Sequence, residues 1–210
     1  MTEKIADYFQ RVLLPRADIV FDFHSGGKTL DFVPFCAAHI LPDKEQERRA
    51  FAAVEAFSAP YSVKMLEIDT VGMYDTAAEE MGKVFVTTEL GGGGSISART
   101  LAIAERGVRN LLIHFDLLDG EIEPAESVML DMPDSDCYLC SESDGLLELC
   151  KDLGETVRAG ELVARVHDAR RTGAAPVEYR ARRSGLISAR HFPGRVQSGD
   201  TLAVIAQVLQ

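Results

Sequence analysis

The 210-residue sequence predicts an α/β domain over residues 1–120, followed by a small all-β domain over residues 121–210. Strands and amphipathic helices alternate through the first part, which is typical of a sheet with parallel strand pairs. An acidic stretch without periodicity, residues 119–124, reads as a linker. Beyond it helical periodicity disappears, and one glycine-rich strand pattern occurs twice, which predicts a small duplicated β domain.

Local patterns predict each element of the first part. Apolar residues at helical spacing predict a helix over residues 2–14, which Pro15 ends. Further helices are predicted at 43–57, 74–81 and 97–118, and Ser97 is the expected N-cap of the last. Runs of apolar and β-branched residues predict strands at 17–23, 31–36, 63–68 and 83–89.

The second part contains an internal repeat. Residues 143–164 and 184–203 share a Gly-Leu pair, then a Gly and a Val two or three residues apart, and finally Gly, an acidic residue and a terminal Ala. This pattern predicts a two-fold β-sandwich and resembles the biotinyl/lipoyl hammerhead fold. Carrier domains of that fold present a modified lysine between their halves. Residues 167–183 contain no lysine, so we expect a structural or lid domain.

The composition excludes several classes of protein. A net charge of -11 and a pI near 4.9 argue against a nucleic-acid partner or an anionic membrane surface. The sequence contains no apolar run of the ~18 residues that a membrane span needs, and no signal-peptide pattern, so we expect a cytoplasmic protein. The spacing of Cys137 and Cys140 leaves open a metal or redox pair, but we favour unpaired thiols in a reducing compartment.

Polar residues end two of the predicted buried strands. One strand runs into Asp22-Phe23-His24 and then glycines; the other ends at Glu89, followed by Gly91 to Gly94. Because chemistry in α/β folds gathers at strand ends, we expect His24 and Glu89 to share a hydrolytic zinc site. Asp22 would lie on the same strand face as His24 and could orient it.

Alternatives remain open for each of these residues. His24 could be a structural histidine, Asp22 a buried carboxylate bound to loop N–H groups, and Glu89 a cap for the helix near Ser97. Lys28 and Arg99, beside the two loops, are candidates for binding a substrate carboxylate, although solvated charges are the simpler interpretation. The other histidines have no His or Glu three or four residues away that would form a metal pair: His39, His114, His167 and His191. Of these, His114 lies on the apolar helix and is expected to be a core or helix-end residue.

Three motifs together resemble the succinylglutamate desuccinylase/aspartoacylase family: Asp-x-His-Ser-Gly-Gly at 22–27, Leu-Asp-Phe-Val-Pro-Phe at 30–35, and Thr-Glu-Leu followed by four glycines at 88–94. The resemblance extends over essentially the whole chain and is nearest to a branch that deacetylates an N-acetylated diamino acid in ectoine breakdown. It implies a fold like that of zinc carboxypeptidases. It also implies one Zn²⁺, bound by His and Glu of an upstream His-x-x-Glu and by a later His that matches His24. The catalytic glutamate matches Glu89.

One part of the family pattern is missing. No His-x-x-Glu occurs in the 210 residues, so we expect the sequence to be the C-terminal portion of a longer enzyme. We expect this portion to hold zinc poorly by itself. The expected activity of the intact site is hydrolysis of a small-molecule N-acyl amino acid. The alternative is a non-catalytic fragment or interaction module. Apolar surface left by absent strands would favour a homo-oligomer.

Overall fold

The computed structural model describes residues 1–65 and 73–209. The elements of the first part are α1 (Thr2–Tyr8), β1 (Ile19–His24), β2 (Leu30–Phe32), β3 (Phe35–His39), α2 (Lys44–Phe57), β4 (Tyr61–Met65), α3 (Tyr74–Glu80), β5 (Val84–Glu89) and α4 (Ala98–His114). The strands of the second part are β6 (Val128–Met132), β7 (Tyr138–Cys140), β8 (Gly145–Leu149), β9 (Thr156–Val157), β10 (Leu162–His167), β11 (Val177–Arg180), β12 (Gly185–His191), β13 (Arg195–Val196) and β14 (Thr201–Val208). None of the described helices has the length and apolar character needed to cross a membrane.

A mixed sheet with helices forms the first part. Its strands lie in the order β1-β5-β3-β4-β6, with parallel pairs β1–β5, β3–β4 and β4–β6 and one antiparallel pair, β3–β5. Helices α2 and α4 cover one face, where Phe57 and Leu111 pack with Val84 and Val86 of β5. The expected α/β class with parallel pairs is therefore confirmed, and the antiparallel pair makes the sheet mixed.

Local sequence explains where the two long helices begin and how they meet. Asp43 caps α2 by accepting hydrogen bonds from two backbone N–H groups. Ser97 caps α4 in a capping box with Thr100, as the sequence predicted. A Cβ added to Gly107 of α4 would lie 2.3 Å from the ring of Phe57, so the two helices approach closely only because this residue is glycine.

The second part continues the same sheet. Strand β14 pairs with β6 and β12, and β12 pairs with β2, so that ten strands form one sheet; β11, β10, β8 and β13 form a separate one. The sequence repeat appears as two sets of strands, β8-β9-β10 and β12-β13-β14. The two-residue strand of each set pairs with the first strand of the other set, β9 with β12 and β13 with β8. The hammerhead assignment and the boundary at residue 120 remain predictions.

Several element boundaries differ from those expected. The α-helical turns of α1 end at Tyr8, and π- and 3-10-helical turns continue through Pro15 to Arg16; none of the residues of α1 is buried. The strand expected at 31–36 is two strands, because the chain leaves β2 before Pro34, which has no N–H for a ladder, and re-enters the sheet as β3. Residues 66–68 of the strand expected at 63–68 lie outside the described residues. Helix α4 ends at His114, four residues early.

Candidate active site

Strand register places the predicted site residues on one face of the sheet. In the parallel pair β1–β5, His24 lies opposite Glu89 and Asp22 lies opposite Thr87. Side chains two residues apart along a strand point to the same face, and opposed residues in neighbouring strands share that face. The four side chains therefore form a compact polar group at the carboxyl ends of β1 and β5.

This polar group lines a cavity of about 410 Å³. The sheet curls around it, since residues from both ends of the strand order contribute to the wall. Its polar lining includes Asp22, His24, His39, Asp75, Thr87 and Glu89, and its apolar lining includes Phe32, Phe35, Met65 and Met132. The structure thus brings together the three residues that the sequence singled out for chemistry, in a space of the size used for small ligands.

The carboxylate of Asp22 lies beside the imidazole of His24. Its Oδ2 lies 3.0 Å from Nδ1 of His24, and the backbone N–H of His24 donates to Oγ1 of Thr88 at 3.3 Å. A carboxylate only accepts, so a proton on Nδ1 would face Asp22 and would leave the lone pair of the neutral imidazole on Nε2. The His24 side chain is 60% exposed, so its imidazole is accessible from the cavity mouth while it contacts Asp22. A ligating histidine commonly has such a carboxylate partner.

Glu89 is the most perturbed acid of the cavity. Its Oε2 is buried and has no hydrogen-bond partner among the described residues. Burial, and secondarily the negative charge of Asp22, raises the pKa of Glu89 from 4.5 to about 7. A carboxyl group with a pKa near neutrality can both accept and return a proton, which is what general acid–base catalysis requires.

The helix-capping alternative for Glu89 does not agree with the structure, because Ser97 and Thr100 cap α4. The glycines after Glu89 also have a structural role. A Cβ on Gly92 would lie 2.0 Å from the carbonyl oxygen of Leu30, and Gly93, with φ at 63°, donates from its N–H to that oxygen at 3.0 Å. The loop after β5 therefore packs directly on the start of β2, and the carbonyl oxygen of its Gly91 accepts a hydrogen bond from the N–H of Gly26, in the loop after β1, at 2.9 Å.

Lys28 and Arg99 are both exposed, and neither is among the described residues that line the cavity. Lys28 lies beside Gly94, with its Cγ 3.9 Å from the position of an added Cβ. Both side chains thus flank the outer loops, and any contact with a substrate would require them to reach the cavity mouth.

Sequence reasoning missed His39 as a residue of this cavity. His39 ends β3, is 3% exposed, and has its Nδ1 3.0 Å from Oε1 of Glu79. Its Nε2 lies 4.0 Å from Oδ2 of Asp75, which also lines the cavity. The available signal was a second strand ending in histidine, together with carboxylates four residues apart on α3. Only the side-chain contact between β3 and α3 in the folded protein shows that these belong together.

The remaining histidines and the Cys pair lie elsewhere. His114 is the last residue of α4, Nε2 of the exposed His167 lies 2.7 Å from Glu148, and the buried His191 contacts two backbone carbonyl oxygens. Sγ of the buried Cys137 accepts a hydrogen bond from Arg183 at 3.2 Å, and Cys140 forms no disulfide with a described residue.

The described residues fit a metal ion in part. His24, oriented by Asp22, has the chemistry of a zinc ligand, and the unpartnered oxygen of Glu89 suits a water molecule beside it. Within residues 1–65 and 73–209, however, no group of three His, Cys, Asp or Glu side chains is placed to hold a metal. A catalytic zinc site normally has three protein ligands, so this part of the chain supplies an incomplete set.

Comparisons with known proteins identify the family of the chain. Residues 1–115 match the model of the succinylglutamate desuccinylase/aspartoacylase catalytic domain. The chain is 54% identical to an N-alpha-acetyl-L-2,4-diaminobutyric acid deacetylase of Halomonas elongata, over 100% of the chain and 62% of that protein. The chain thus spans about three-fifths of the length of this relative.

Solved structures show the same likeness. The product-bound ectoine utilization protein EutE (DoeB) of Ruegeria pomeroyi matches with a TM-score of 0.96 and 64% identity, over 99% of this chain and 63% of that one. A succinylglutamate desuccinylase/aspartoacylase of Rhodobacter sphaeroides matches with a TM-score of 0.92 and 32% identity, over 99% and 64%. The chain therefore belongs to the succinylglutamate desuccinylase/aspartoacylase family.

Proposed function

We propose that this chain carries part of the active site of a zinc-dependent hydrolase that cleaves the amide bond of an N-acyl amino acid. The observation that supports this most directly is the pairing of Glu89 with His24. Two neighbouring strand ends present a buried carboxylate oxygen, without a partner among the described residues, beside an imidazole held by Asp22. A solely structural carboxylate at such a position would be expected to have a hydrogen-bond partner.

His24 is the proposed zinc ligand of this chain. The remaining two ligands would come from the portion of the relatives' length that this chain does not span. When bound, zinc would polarise the acyl carbonyl and acidify water. Asp22 would keep the proton on Nδ1 and thereby leave Nε2 of His24 available as a donor throughout the reaction.

Glu89 is the proposed proton carrier. As the attacking water adds to the acyl carbon, Glu89 takes a proton from it; as the C–N bond breaks, Glu89 gives that proton to the departing amine. Its pKa of about 7 suits both steps, because neither the ionised nor the protonated form is strongly disfavoured near neutral pH. The cavity walls formed by Phe32 and Phe35 would keep excess water from the reacting atoms.

The favoured substrate is an N-acetylated diamino acid. This proposal rests on the activity named for the Halomonas relative and on a cavity of about 410 Å³, which suits a small metabolite. A second candidate is a non-catalytic binding module, and the incomplete ligand set among the described residues favours it.

One experiment separates the two candidates. Zinc content and acetate release from N-α-acetyl-2,4-diaminobutyrate are measured after addition of Zn²⁺ for the purified enzyme with its complete set of zinc ligands and for its His24→Ala variant. The hydrolase proposal expects bound zinc and acetate release, both lost in the variant. Zinc binding that does not depend on His24, or zinc-loaded protein without acetate release, would support the binding module instead.

A further inference from the structure

Among the described residues, the charged side chains that line the cavity are all acidic. Three carboxyl groups line it, those of Asp22, Asp75 and Glu89, whereas no Lys or Arg belongs to its described lining. The hydrolytic proposal uses Asp22 and Glu89 but gives no role to Asp75. A largely buried carboxylate in a cavity without a fixed cation is costly, unless a ligand brings the opposite charge.

Asp75 is held in a defined orientation. Its side chain is 16% exposed, and its Oδ1 accepts hydrogen bonds from the backbone N–H of Thr76 at 2.6 Å and from Oγ1 of Thr76 at 3.3 Å. Its other oxygen, Oδ2, lies 4.0 Å from Nε2 of His39, which is longer than a hydrogen bond. One carboxylate oxygen thus fixes the group on the backbone, while the other keeps capacity to accept from a ligand.

The elements around Asp75 are rigidly packed. The ring of the preceding residue, Tyr74, packs edge to face against Phe9 and Phe85, with ring centroids 5.7 Å apart in each pair. On the other side, the Nδ1 atom of the buried His39 lies 3.0 Å from Oε1 of Glu79, one turn further along α3. A preorganised carboxylate loses little side-chain entropy on binding, which is the property of a specificity-determining residue.

We propose that Asp75 binds the side-chain ammonium group of the substrate and makes the site selective for an N-acylated diamino acid. The inference rests on the proposed function and assigns its substrate preference to one residue. An ammonium group would pair with Asp75 through a charge-assisted hydrogen bond. A substrate with a second carboxylate in that position would instead face three acids without a described Lys or Arg in the wall, and repulsion would exclude it.

The test compares two amino acids of almost equal shape. 2,4-Diaminobutyrate and norvaline differ in that a terminal methyl group replaces the ammonium group. Their affinities for the purified protein are measured by titration calorimetry, for the wild type, Asp75→Asn and the matched control Glu80→Gln, an exposed acid of the same helix. We expect Asp75→Asn to weaken diaminobutyrate binding by about 10- to 100-fold, from the usual strength of a charged hydrogen bond, and to leave norvaline binding unchanged. Glu80→Gln should change neither affinity.

Three results would overturn the assignment: equal affinity of the wild type for the two amino acids, equal weakening of both by Asp75→Asn, or the same loss in Glu80→Gln. If Asp75→Asn does not fold, Asp75→Glu replaces it and should retain the preference for diaminobutyrate, because the charge remains. Acetate release from N-α-acetyl-2,4-diaminobutyrate and N-acetylnorvaline is measured separately. Selective binding without acetate release refutes the hydrolase alone, whereas equally efficient release from both compounds, with equal binding, refutes only the role of Asp75.

Discussion

Replacing Glu89 by Gln should remove a pH-dependent component of stability from the metal-free protein. Burial, and then the charge of Asp22, raises the pKa of Glu89 from 4.5 to about 7. Because the pKa is higher in the folded state, the folded state binds the proton more tightly. The resulting stabilisation is fully present below about pH 4.5 and is lost as the pH rises through about 7. The difference between the two pKa values corresponds to about 3 kcal/mol, which is a large share of the stability of an ordinary domain.

Urea unfolding at a series of pH values after dialysis against a chelator measures this component. The difference in free energy of unfolding between wild type and Glu89→Gln should shift by about 3 kcal/mol against the wild type between about pH 4.5 and about pH 7. The exposed Glu121→Gln is the matched control and should follow the wild-type curve. Parallel curves for wild type and Glu89→Gln would show that Glu89 titrates normally and is not buried in the cavity as described.

Two further substitutions test the packing and the metal ligand. Gly107→Ala should lower the free energy of unfolding by about 1 to 3 kcal/mol in urea titrations, because the new Cβ would lie 2.3 Å from the ring of Phe57; a gain from improved helix propensity would contradict this contact. Asp22→Asn should weaken zinc affinity by about 10- to 100-fold in competition with a chelator, because His24 loses the carboxylate 3.0 Å from its Nδ1; unchanged affinity would remove Asp22 from the site.

The sequence predicted those parts of the site that depend on local pattern. His24 and Glu89 each end an apolar strand before glycines, and the parallel pairing of β1 with β5 then places them side by side. The capping of α4 by Ser97 was also predictable from the sequence, because all the groups involved lie within four residues.

The remaining features depend on contacts between distant segments. His39 meets Asp75 and Glu79 only because α3 packs on β5, the strand next to β3, and no spacing in the sequence encodes that meeting. The pairings of β4 with β6 and of β2 with β12, through which both parts of the chain share one sheet, are likewise non-local. Gly92, in the loop after Glu89, makes room for the backbone of Leu30, and this contact between segments is not apparent from the glycine run alone. The sequence pattern therefore identifies the polar residues at strand ends, and tertiary packing determines which other residues lie beside them.

The most direct test of the central claim is turnover by the Glu89→Gln variant of the enzyme with its complete set of zinc ligands, with zinc content measured on the same sample. If Glu89 carries the proton beside a zinc-bound His24, the variant should keep its zinc and lose at least about 100-fold in acetate release, while Glu121→Gln keeps full activity. Wild-type turnover by a zinc-loaded Glu89→Gln variant would contradict the claim that this carboxyl group performs the proton transfer.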